Sequence, residues 1–386
     1  MTSAISRRSA LKGLLGAVPA AAAAQGGRPP NVVFILADDM GWGDLGCYGN
    51  QWIRTPALDK LAGAGTLFSQ YYSNNPVCSP SRTAWMTGQF PARNRIHAHL
   101  ATEELNARRA MPNFLDPGVV MLPRLLKDAG YATSHTGKWH LGRSPEAPLP
   151  DAYGFTHYRT TVSNDQYFAE AMKDKWFWSK STSMFVNETI KFIEENRNRP
   201  FYANLWTLLP HAPLNPTAEQ LAPYKRFAAG PRVDHKTARE IYYASVTDLD
   251  TQIGRLLYKL DELGLSANTL VVFSSDNGPE DIHIANAGHS GVGSPGPFRG
   301  RKRSLYEGGV RLPFIARLPG RIPAGRVDSD SVITAVDFLP SVCALAGKRP
   351  PAARRLDGED IGDIWSGKPR PRRKPIYWEW RFNIQG

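Results

Sequence analysis

The chain has 386 residues, of which 42% are hydrophobic and 21% are charged, and its formal net charge is +12. This length and composition exclude a disordered chain and a small disulfide-rich module, and they predict a soluble globular protein with a large core. The basic balance suits an acidic substrate or polymer. Three widely spaced cysteines, Cys47, Cys78 and Cys343, make neither a disulfide framework nor a zinc site.

The first 24 residues have the pattern of a cleavable signal peptide. Arg7, Arg8 and Lys12 precede an apolar, alanine-rich run that ends at Ala24. The run is too short to span a membrane, and the paired arginines resemble a twin-arginine signal, which exports folded proteins. We therefore expect removal of residues 1–24 and export by the twin-arginine machinery, to the periplasm or the outside of a bacterial cell. We expect neither stable membrane insertion nor nucleic-acid binding.

Apolar, β-branched runs predict strands that are buried on both faces of a sheet. The three clearest are Asn31–Ala37, Pro200–Trp206 and Thr269–Ser275, and weaker signals predict strands at Tyr131–Ser134 and Arg311–Leu318 and a short strand and helix within Ala335–Gly347.

Apolar spacing and end signals predict the helices. They lie at about Pro56–Gly65, Val120–Gly130, Ser183–Asn196 and Ile241–Leu263. The segment Cys78–Gly88 is interpreted as a loop that leads into a helix with the cysteine at its entrance. The stretch Ser144–Trp178 has no clear period and is interpreted as surface loops over a cleft. The alternation of strands and helices predicts an α/β fold, with a mostly parallel central sheet between helices.

Polar residues follow the predicted strands, at the sheet edge where α/β proteins place their sites. They are Asp38, Asp39, Asp276, Asn277 and His211, with Lys138 and His140 close behind another strand. Two tandem carboxylates and a carboxylate–amide pair form an all-oxygen ligand set that suits Ca²⁺ or Mg²⁺. Either pair alone is weak evidence, because such residues also cap helices and form turns.

The segment Cys78–Gly88 has the spacing C-x-P-x-R-x-x-x-x-T-G. This spacing resembles the signature of the type I sulfatases, members of the alkaline phosphatase superfamily. Further matching blocks are Gly137–His140, Pro210–Pro213 and Lys302 with the following Leu-Tyr-Glu-Gly-Gly-x-Arg, and the resemblance runs from about Asn31 to Tyr377. It implies an alkaline-phosphatase-like fold, and oxidation of Cys78 to formylglycine by a formylglycine-generating enzyme.

The resemblance also implies a metal centre. Asp38, Asp39, Asp276 and Asn277 would hold a divalent ion, usually calcium, and the residue derived from Cys78 would contact it as well. The positive ion would offset the charge of the sulfate that is to be attacked.

The remaining matched residues have implied catalytic roles. One hydroxyl of the hydrated formylglycine, assisted by Arg82, attacks sulfur, while Lys138 and Lys302 bind the sulfate oxygens. His211 helps the departing alcohol to take a proton. His140 then deprotonates the second hydroxyl, so that sulfate is eliminated and the aldehyde restored.

Domain organisation is also taken from the resemblance. We expect a sulfatase catalytic domain at residues 25–366 and, at residues 367–386, the start of a small antiparallel C-terminal subdomain that is truncated or nearly absent. Family members usually continue beyond an aromatic strand like Tyr377–Trp380. The basic run Lys368–Lys374 is interpreted as a solvated surface.

Two alternative functions remain beside a sulfatase that acts on sulfated carbohydrate. One is a phosphodiester or phosphonate monoester hydrolase of the same superfamily, which the blocks around Lys138 and His211 disfavour. The other is a catalytically silent binder of sulfated glycans. Such a binder would be expected to have lost some of the ten positions with an implied metal-binding or catalytic role, and all ten are present in this sequence. The glycine-rich run after Asp39 and the approach to the Lys302 loop look like carbohydrate sulfatases, the N-acetylgalactosamine-6-sulfatases among them. The sequence leaves the sugar, the sulfate position and the linkage open.

Overall fold

The computed structural model describes residues 27–227, 235–281, 288–352 and 355–381. The predicted signal peptide, residues 1–24, lies outside the described residues. Within the described residues a single sheet contains nine strands. They are β1 Asn31–Ala37, β2 Thr66–Tyr72, β3 Ala132–Lys138, β4 His157–Thr161, β5 Phe201–Trp206, β6 Thr269–Ser275, β7 Arg311–Arg317, β8 Arg326–Asp328 and β9 Ile333–Thr334.

The sheet is mostly parallel, which confirms the predicted fold class. Its strand order is β4-β3-β5-β1-β6-β7-β2-β8, with β9 paired to β2. Strand β7 runs antiparallel to both neighbours, β6 and β2, and the other pairings are parallel. Because Ala37 pairs with Ser275, the chain leaves β1 and β6 at the same level of the same sheet edge.

Helices cover both faces of the sheet. They are α1 Pro56–Gly63, α2 Cys78–Thr87, α3 Glu103–Arg108, α4 Leu122–Lys127, α5 Phe177–Asn196, α6 Ala218–Leu221, α7 His235–Glu262, α8 Glu307–Val310, α9 Phe338–Leu345 and α10 Gly362–Trp365. Among the described residues, no helix is both long enough and apolar enough to cross a membrane.

Alternate side chains of β1 belong to two different cores, one on each face of the sheet. Val33 and Ile35 pack in the core that contains apolar residues of α1, α5 and α7. Phe34 packs on the other face against Trp85 of α2 and Phe338 of α9, with ring centroids 4.5 and 4.7 Å away. The helix that begins with Cys78 is therefore packed directly on the central strand.

Some predicted elements differ from the structure. Strands β1 and β6 have the predicted bounds, but the stretch predicted as loops, residues 144–178, contains strand β4 and the first two residues of α5. Among the described strands, β4 pairs only with β3, and it is half-exposed at its start, so its sequence has no apolar run that would reveal it. The sheet neighbour, not the local sequence, determines this strand.

The interpretation of the basic run Lys368–Lys374 as a solvated surface holds for Lys368, Arg373 and Lys374, which are exposed, but not for Arg370 and Arg372, which are partly buried. Arg372 pairs with buried Asp337, and Arg370 pairs with Glu359 and Asp363 at 2.7 and 2.6 Å. Lys374 is exposed and donates to the backbone carbonyls of Leu356 and Gly358.

The aromatic segment Tyr377–Trp380 is not a strand in the structure. Trp378 donates its indole N–H to the Ser73 carbonyl at 2.7 Å, so this segment covers the loop before α2. The predicted domain boundary at residue 366 stays a prediction.

Candidate active site

Three carboxylates and an amide meet where β1 and β6 end. The Asp276 N–H donates to the Ala37 carbonyl at 3.1 Å, and the Asp39 N–H donates to Asp276 Oδ1 at 3.1 Å. Asn277 Nδ2 donates to Asp39 Oδ1 at 2.7 Å. All four side chains, including that of Asp38, are buried. The sequence prediction that these residues converge is therefore confirmed.

The backbone at Asp39 makes this convergence possible. Its φ is +64°, in the left-handed region that non-glycine residues rarely adopt. The chain thereby turns sharply after β1, and both tandem carboxylates point towards the same cluster as Asp276. Strain of this kind is typical of functional sites and must be stabilised by the surrounding contacts.

The cluster has the composition of a metal site. One ligand atom each from Asp38, Asp39, Cys78 and Asp276 lies within 4.8 Å of the others. Asn277 Oδ1 is buried and has no hydrogen-bond partner among the described residues, which leaves it free to coordinate an ion. Burial and the Asp38 carboxylate raise the pKa of Asp276 to about 6. A bound cation would relieve this repulsion, so the residues fit a divalent ion that prefers oxygen ligands.

Cys78 is the first residue of α2 and lies against the acidic cluster. Its Sγ is 3.6 Å from Asp38 Oδ1 and 3.6 Å from Lys138 Nζ, and only 2% of the residue is exposed. Burial raises the pKa of the thiol well above its usual range, although Lys138 and Lys302 act in the opposite direction. The thiol is therefore protonated and, as encoded, is a poor nucleophile.

Arg82 lies one helical turn after Cys78 and is fully buried. Its Nε and Nη2 donate to Asp276 Oδ2 at 3.0 and 2.7 Å, and its Nη1 donates to the Lys138 carbonyl at 2.8 Å. The guanidinium also lies 5.0 Å from the ring centroid of Trp206. Arg82 thus joins α2 to the ends of β3, β5 and β6.

Lys138 is the last residue of β3, and its Nζ is 2.6 Å from Asp38 Oδ2. Burial disfavours its charge, but the Asp38 carboxylate and its neighbours raise the pKa above the usual value. The preceding Gly137 has a φ of +106°, and a Cβ there would lie 1.9 Å from the Trp206 carbonyl oxygen. Only glycine allows β3 to approach β5 closely enough to place Lys138 here.

Lys302 approaches from the opposite side, with its Nζ 2.6 Å from Asp39 Oδ2 and 3.4 Å from Glu280 Oε2. Its pKa is raised because these carboxylates outweigh the effect of burial. Glu280 also pairs with Arg303. Arg301 donates to the carbonyls of Glu280 and Gly291, each at 2.8 Å. The loop that carries Lys302 is therefore fixed on both sides of the lysine.

His211 completes the group that touches the acids. Its Nδ1 contacts the Ala212 carbonyl and its Nε2 lies 3.7 Å from Asp39 Oδ2. Because a carbonyl only accepts, the proton of the neutral ring is on Nδ1, and Nε2 faces the site with its lone pair. Burial and the Lys302 cation lower the pKa of His211 to about 4, despite the Asp39 carboxylate.

His140 lies beside the cluster instead of touching the acids. Its Nε2 is 3.0 Å from the Leu100 carbonyl, so this nitrogen carries the proton. Its Nδ1 is buried and unpartnered among the described residues. Burial, then Lys138 and Arg82, lower the pKa of His140 far below its usual value. The ring is therefore neutral, with a free lone pair on Nδ1.

The sequence analysis missed two residues of this site, Glu280 and His99. Glu280 is buried and is a direct partner of Lys302. Burial and the cations Arg109 and Lys302 lower the pKa of His99 to about 3. Glu280 lies only four residues after Asp276, and this nearness is the one local signal in the sequence that Glu280 belongs to the site. His99 lies in a segment without regular structure, where only the tertiary fold reveals its neighbours.

Comparisons with known proteins agree with this geometry. A family model described as Sulfatase matches residues 30–348. The chain is 36% identical to N-acetylgalactosamine-6-sulfatase of Canis lupus familiaris over 365 residues, which cover 86% of this chain and 65% of that protein. The chain therefore spans slightly less than two thirds of the length of this curated relative.

Two solved structures are similar over nearly the whole chain. One is Ps i-CgsB in complex with k-i-k-neocarrahexaose, with a TM-score of 0.76, 28% identity, and coverage of 92% of this chain and 80% of that one. The other is the PsFucS1 sulfatase from Pseudoalteromonas sp., with a TM-score of 0.74, 27% identity, and coverage of 92% and 76%.

Proposed function

Because the chain belongs to the sulfatase family, we propose that it hydrolyses a sulfate ester of a carbohydrate through a residue made from Cys78. The observation that carries the proposal is the position of Cys78, at the start of α2, within 3.6 Å of both an acidic ligand and a lysine. The relative named N-acetylgalactosamine-6-sulfatase and the neighbour solved in complex with k-i-k-neocarrahexaose support a carbohydrate substrate.

Cys78 is proposed to act after oxidation to formylglycine. The encoded thiol is buried and protonated, so it lacks the thiolate that nucleophilic catalysis by cysteine requires. A hydrated aldehyde at this position would present two geminal hydroxyls. Since Cys78 is 2% exposed, a formylglycine-generating enzyme would reach it before the chain folds around α2.

The metal is proposed to be Ca²⁺, with Mg²⁺ as the alternative, held by Asp38, Asp39, Asp276, Asn277 and the residue at position 78. When bound, the ion supplies positive charge that offsets the sulfate and favours the ionised nucleophile. Three carboxylates and one amide oxygen form a hard ligand set of the kind that Ca²⁺ prefers.

Lys138 and Lys302 are proposed to bind the non-bridging sulfate oxygens. Both ammonium groups are buried. That of Lys138 contacts Asp38 and that of Lys302 contacts Asp39, from opposite sides of the cluster. Positive charge held in place in a buried site stabilises the charge that develops on the oxygens during attack. Arg82 holds the carboxylate of Asp276 and the end of β3, and so positions the nucleophile and Lys138 together.

The two histidines are proposed to move the protons. One hydroxyl of the hydrate, which has lost its proton to water, forms the new O–S bond while the bond from sulfur to the ester oxygen breaks. The departing oxygen takes its proton from His211 Nε2, so His211 must be protonated when the substrate is bound. The pKa of His211 is low beside Lys302, and an anionic sulfate between them would raise it. His140 then accepts the proton of the remaining hydroxyl on its free Nδ1, so that the aldehyde forms and sulfate leaves.

We also propose export through the twin-arginine route, to the periplasm or outside a bacterial cell, because Arg7 and Arg8 precede a short apolar run. This route carries folded proteins, so modification of Cys78 and metal loading would both precede transport.

A comparison of rates tests the proposed reaction. The converted protein with Ca²⁺ is expected to hydrolyse an aryl sulfate, and then members of a panel of sulfated glycans, faster than an aryl phosphodiester. A clear preference for the diester would favour the phosphodiesterase alternative. Binding of sulfated glycans without release of sulfate would favour the silent binder.

A further inference from the structure

A pocket of about 440 Å³ opens beside His140. It lies between residues 99–103 and residues 140–145, and His140 forms part of its wall. Its volume is within the ~300–1,000 Å³ typical of sites for small ligands. Because His140 is a proposed proton acceptor, a ligand in this pocket would adjoin the reacting groups.

One wall of the pocket is fixed to the catalytic elements by two hydrogen bonds of Leu100. The Leu100 N–H donates to the Oγ of Ser79, the neighbour of Cys78, at 3.0 Å. Its carbonyl accepts from His140 Nε2 at 3.0 Å. The wall thus has a defined position relative to both the nucleophile segment and the proton acceptor.

Opposite charges line the pocket without pairing to each other. Arg143 and Glu103 are both lining residues and both exposed. In the described parts of the chain, Arg143 and Glu103 form no ion pair, and the Arg143 guanidinium has no other hydrogen-bond or ion-pair partner. Its planar donors are therefore available to a ligand.

The pocket also lies within the electrostatic field of the sulfate-binding lysines. His99 lines it, and after burial and Arg109 the cation that most lowers the pKa of His99 is Lys302. His99 is consequently neutral near pH 7. A ligand would meet an uncharged imidazole ring at His99 and a cation at Arg143.

We propose that this pocket binds the sugar ring that loses its sulfate, and that Arg143 selects a ring carrying a second anionic substituent, a carboxylate or another sulfate. A guanidinium binds either group through paired, charge-assisted hydrogen bonds. Glu103 would accept from a ring hydroxyl and repel an anion, so it fixes which side of the ring faces Arg143. This assignment rests on the proposed function and adds the substrate class.

Binding to a variant that does not turn over tests the assignment. In the Cys78→Ala background with Ca²⁺, dissociation constants are measured by calorimetry for a disulfated monosaccharide, a monosulfated uronate and a monosulfated neutral sugar. Adding Arg143→Ala is expected to raise the dissociation constant of one or both acidic ligands roughly 10- to 100-fold. The neutral sugar should lose less than about threefold. The matched control is Arg108→Ala, which removes an exposed arginine of α3 that does not line the pocket.

The acidic ligand that loses affinity identifies the second substituent. Equal losses for all three ligands, or no loss, would overturn the assignment. A selective loss combined with no sulfate release from any ligand by the converted, unsubstituted protein would support the pocket and contradict the proposed function.

Discussion

Arg82 and Asp276 form a buried two-pronged ion pair: Nε and Nη2 of the arginine both donate to Asp276 Oδ2, at 3.0 and 2.7 Å. The second carboxylate oxygen, Oδ1, accepts the Asp39 N–H. One carboxylate thereby couples the helix that begins with Cys78 to the Asp38–Asp39 turn after β1. Neither side chain is exposed, so water cannot replace a lost partner.

Arg82→Lys is expected to lower both stability and activity. Lysine keeps the charge but loses the planar fork, and Asp276 would remain buried with an incomplete set of donors. We expect the free energy of unfolding, measured by urea denaturation, to fall by roughly 3 kcal/mol.

The matched control for this change is Arg93→Lys. Arg93 makes a similar two-pronged pair with Asp357, but 38% of its side chain is exposed, so its loss should cost less than about 1 kcal/mol. Equal losses for the two variants would contradict the role of burial.

Asn277→Ala should weaken calcium binding. The change removes the unpaired Oδ1 and also the Nδ2 donor that orients Asp39 at 2.7 Å. We expect the calcium dissociation constant, measured by calorimetry, to rise by at least about tenfold. Asn187→Ala, at an exposed position on α5, is the control and should not change it. An unchanged calcium affinity in Asn277→Ala would remove this residue from the ligand set.

Asp44 should give the protein a specific pH dependence of stability. Its buried carboxylate accepts from the Tyr242 hydroxyl at 2.6 Å and from the N–H groups of Gly41 and Ser294 at 2.7 Å. Burial raises its pKa from 3.8 to about 6, although these hydrogen bonds act to lower it. Between these values the folded state binds the proton more tightly than the unfolded state. The contribution of Asp44 to the free energy of unfolding therefore falls as pH rises through this window, by ~3 kcal/mol.

Asp44→Asn removes this titration. The difference in the free energy of unfolding, variant minus unsubstituted protein, should rise by ~3 kcal/mol when the pH is raised from below the window to above it. Denaturant unfolding at the two pH values measures this difference. Parallel pH profiles of the two proteins would show that Asp44 does not titrate in this range.

His140→Ala should separate the two halves of the reaction. If His140 removes the proton that expels sulfate, the variant should release alcohol in the first turnover but keep the sulfate on residue 78. Mass spectrometry of the peptide that contains Cys78 would detect the added sulfate. His157→Ala, on edge strand β4, is the histidine control and should show no retained sulfate. If His140→Ala released neither alcohol nor sulfate, His140 would act in the first step instead.

The sequence predicted the centre of the site because that centre is built at strand ends. Strands β1 and β6 are continuous apolar runs, so their bounds were clear, and the polar residues Asp38, Asp39, Asp276 and Asn277 follow them directly. Adjacent parallel strands then bring these residues to one edge. His211, Lys138 and His140 also follow predicted strands, and their proposed roles came from the matched motifs. Lys302 followed from its matched motif alone.

The surroundings of the site could not be predicted because they depend on pairing between distant segments. Strand β4 has no apolar run, and Arg372 in the C-terminal basic run finds its partner, Asp337, 35 residues away. His99, and Glu280 apart from its nearness to Asp276 in the sequence, are recognised from the cations that the fold places around them. Charge runs and short edge strands depend on tertiary partners more than central strands do.

The most direct test of the central claim is to measure, in the same samples, the fraction of Cys78 converted to formylglycine and the rate of sulfate release. The protein would be produced with and without a formylglycine-generating enzyme, and Cys78→Ala would be included. We predict that the rate of sulfate release in the presence of Ca²⁺ rises in proportion to the converted fraction and is absent in Cys78→Ala. Equal rates from converted and unconverted protein, or sulfate release by Cys78→Ala, would contradict the account.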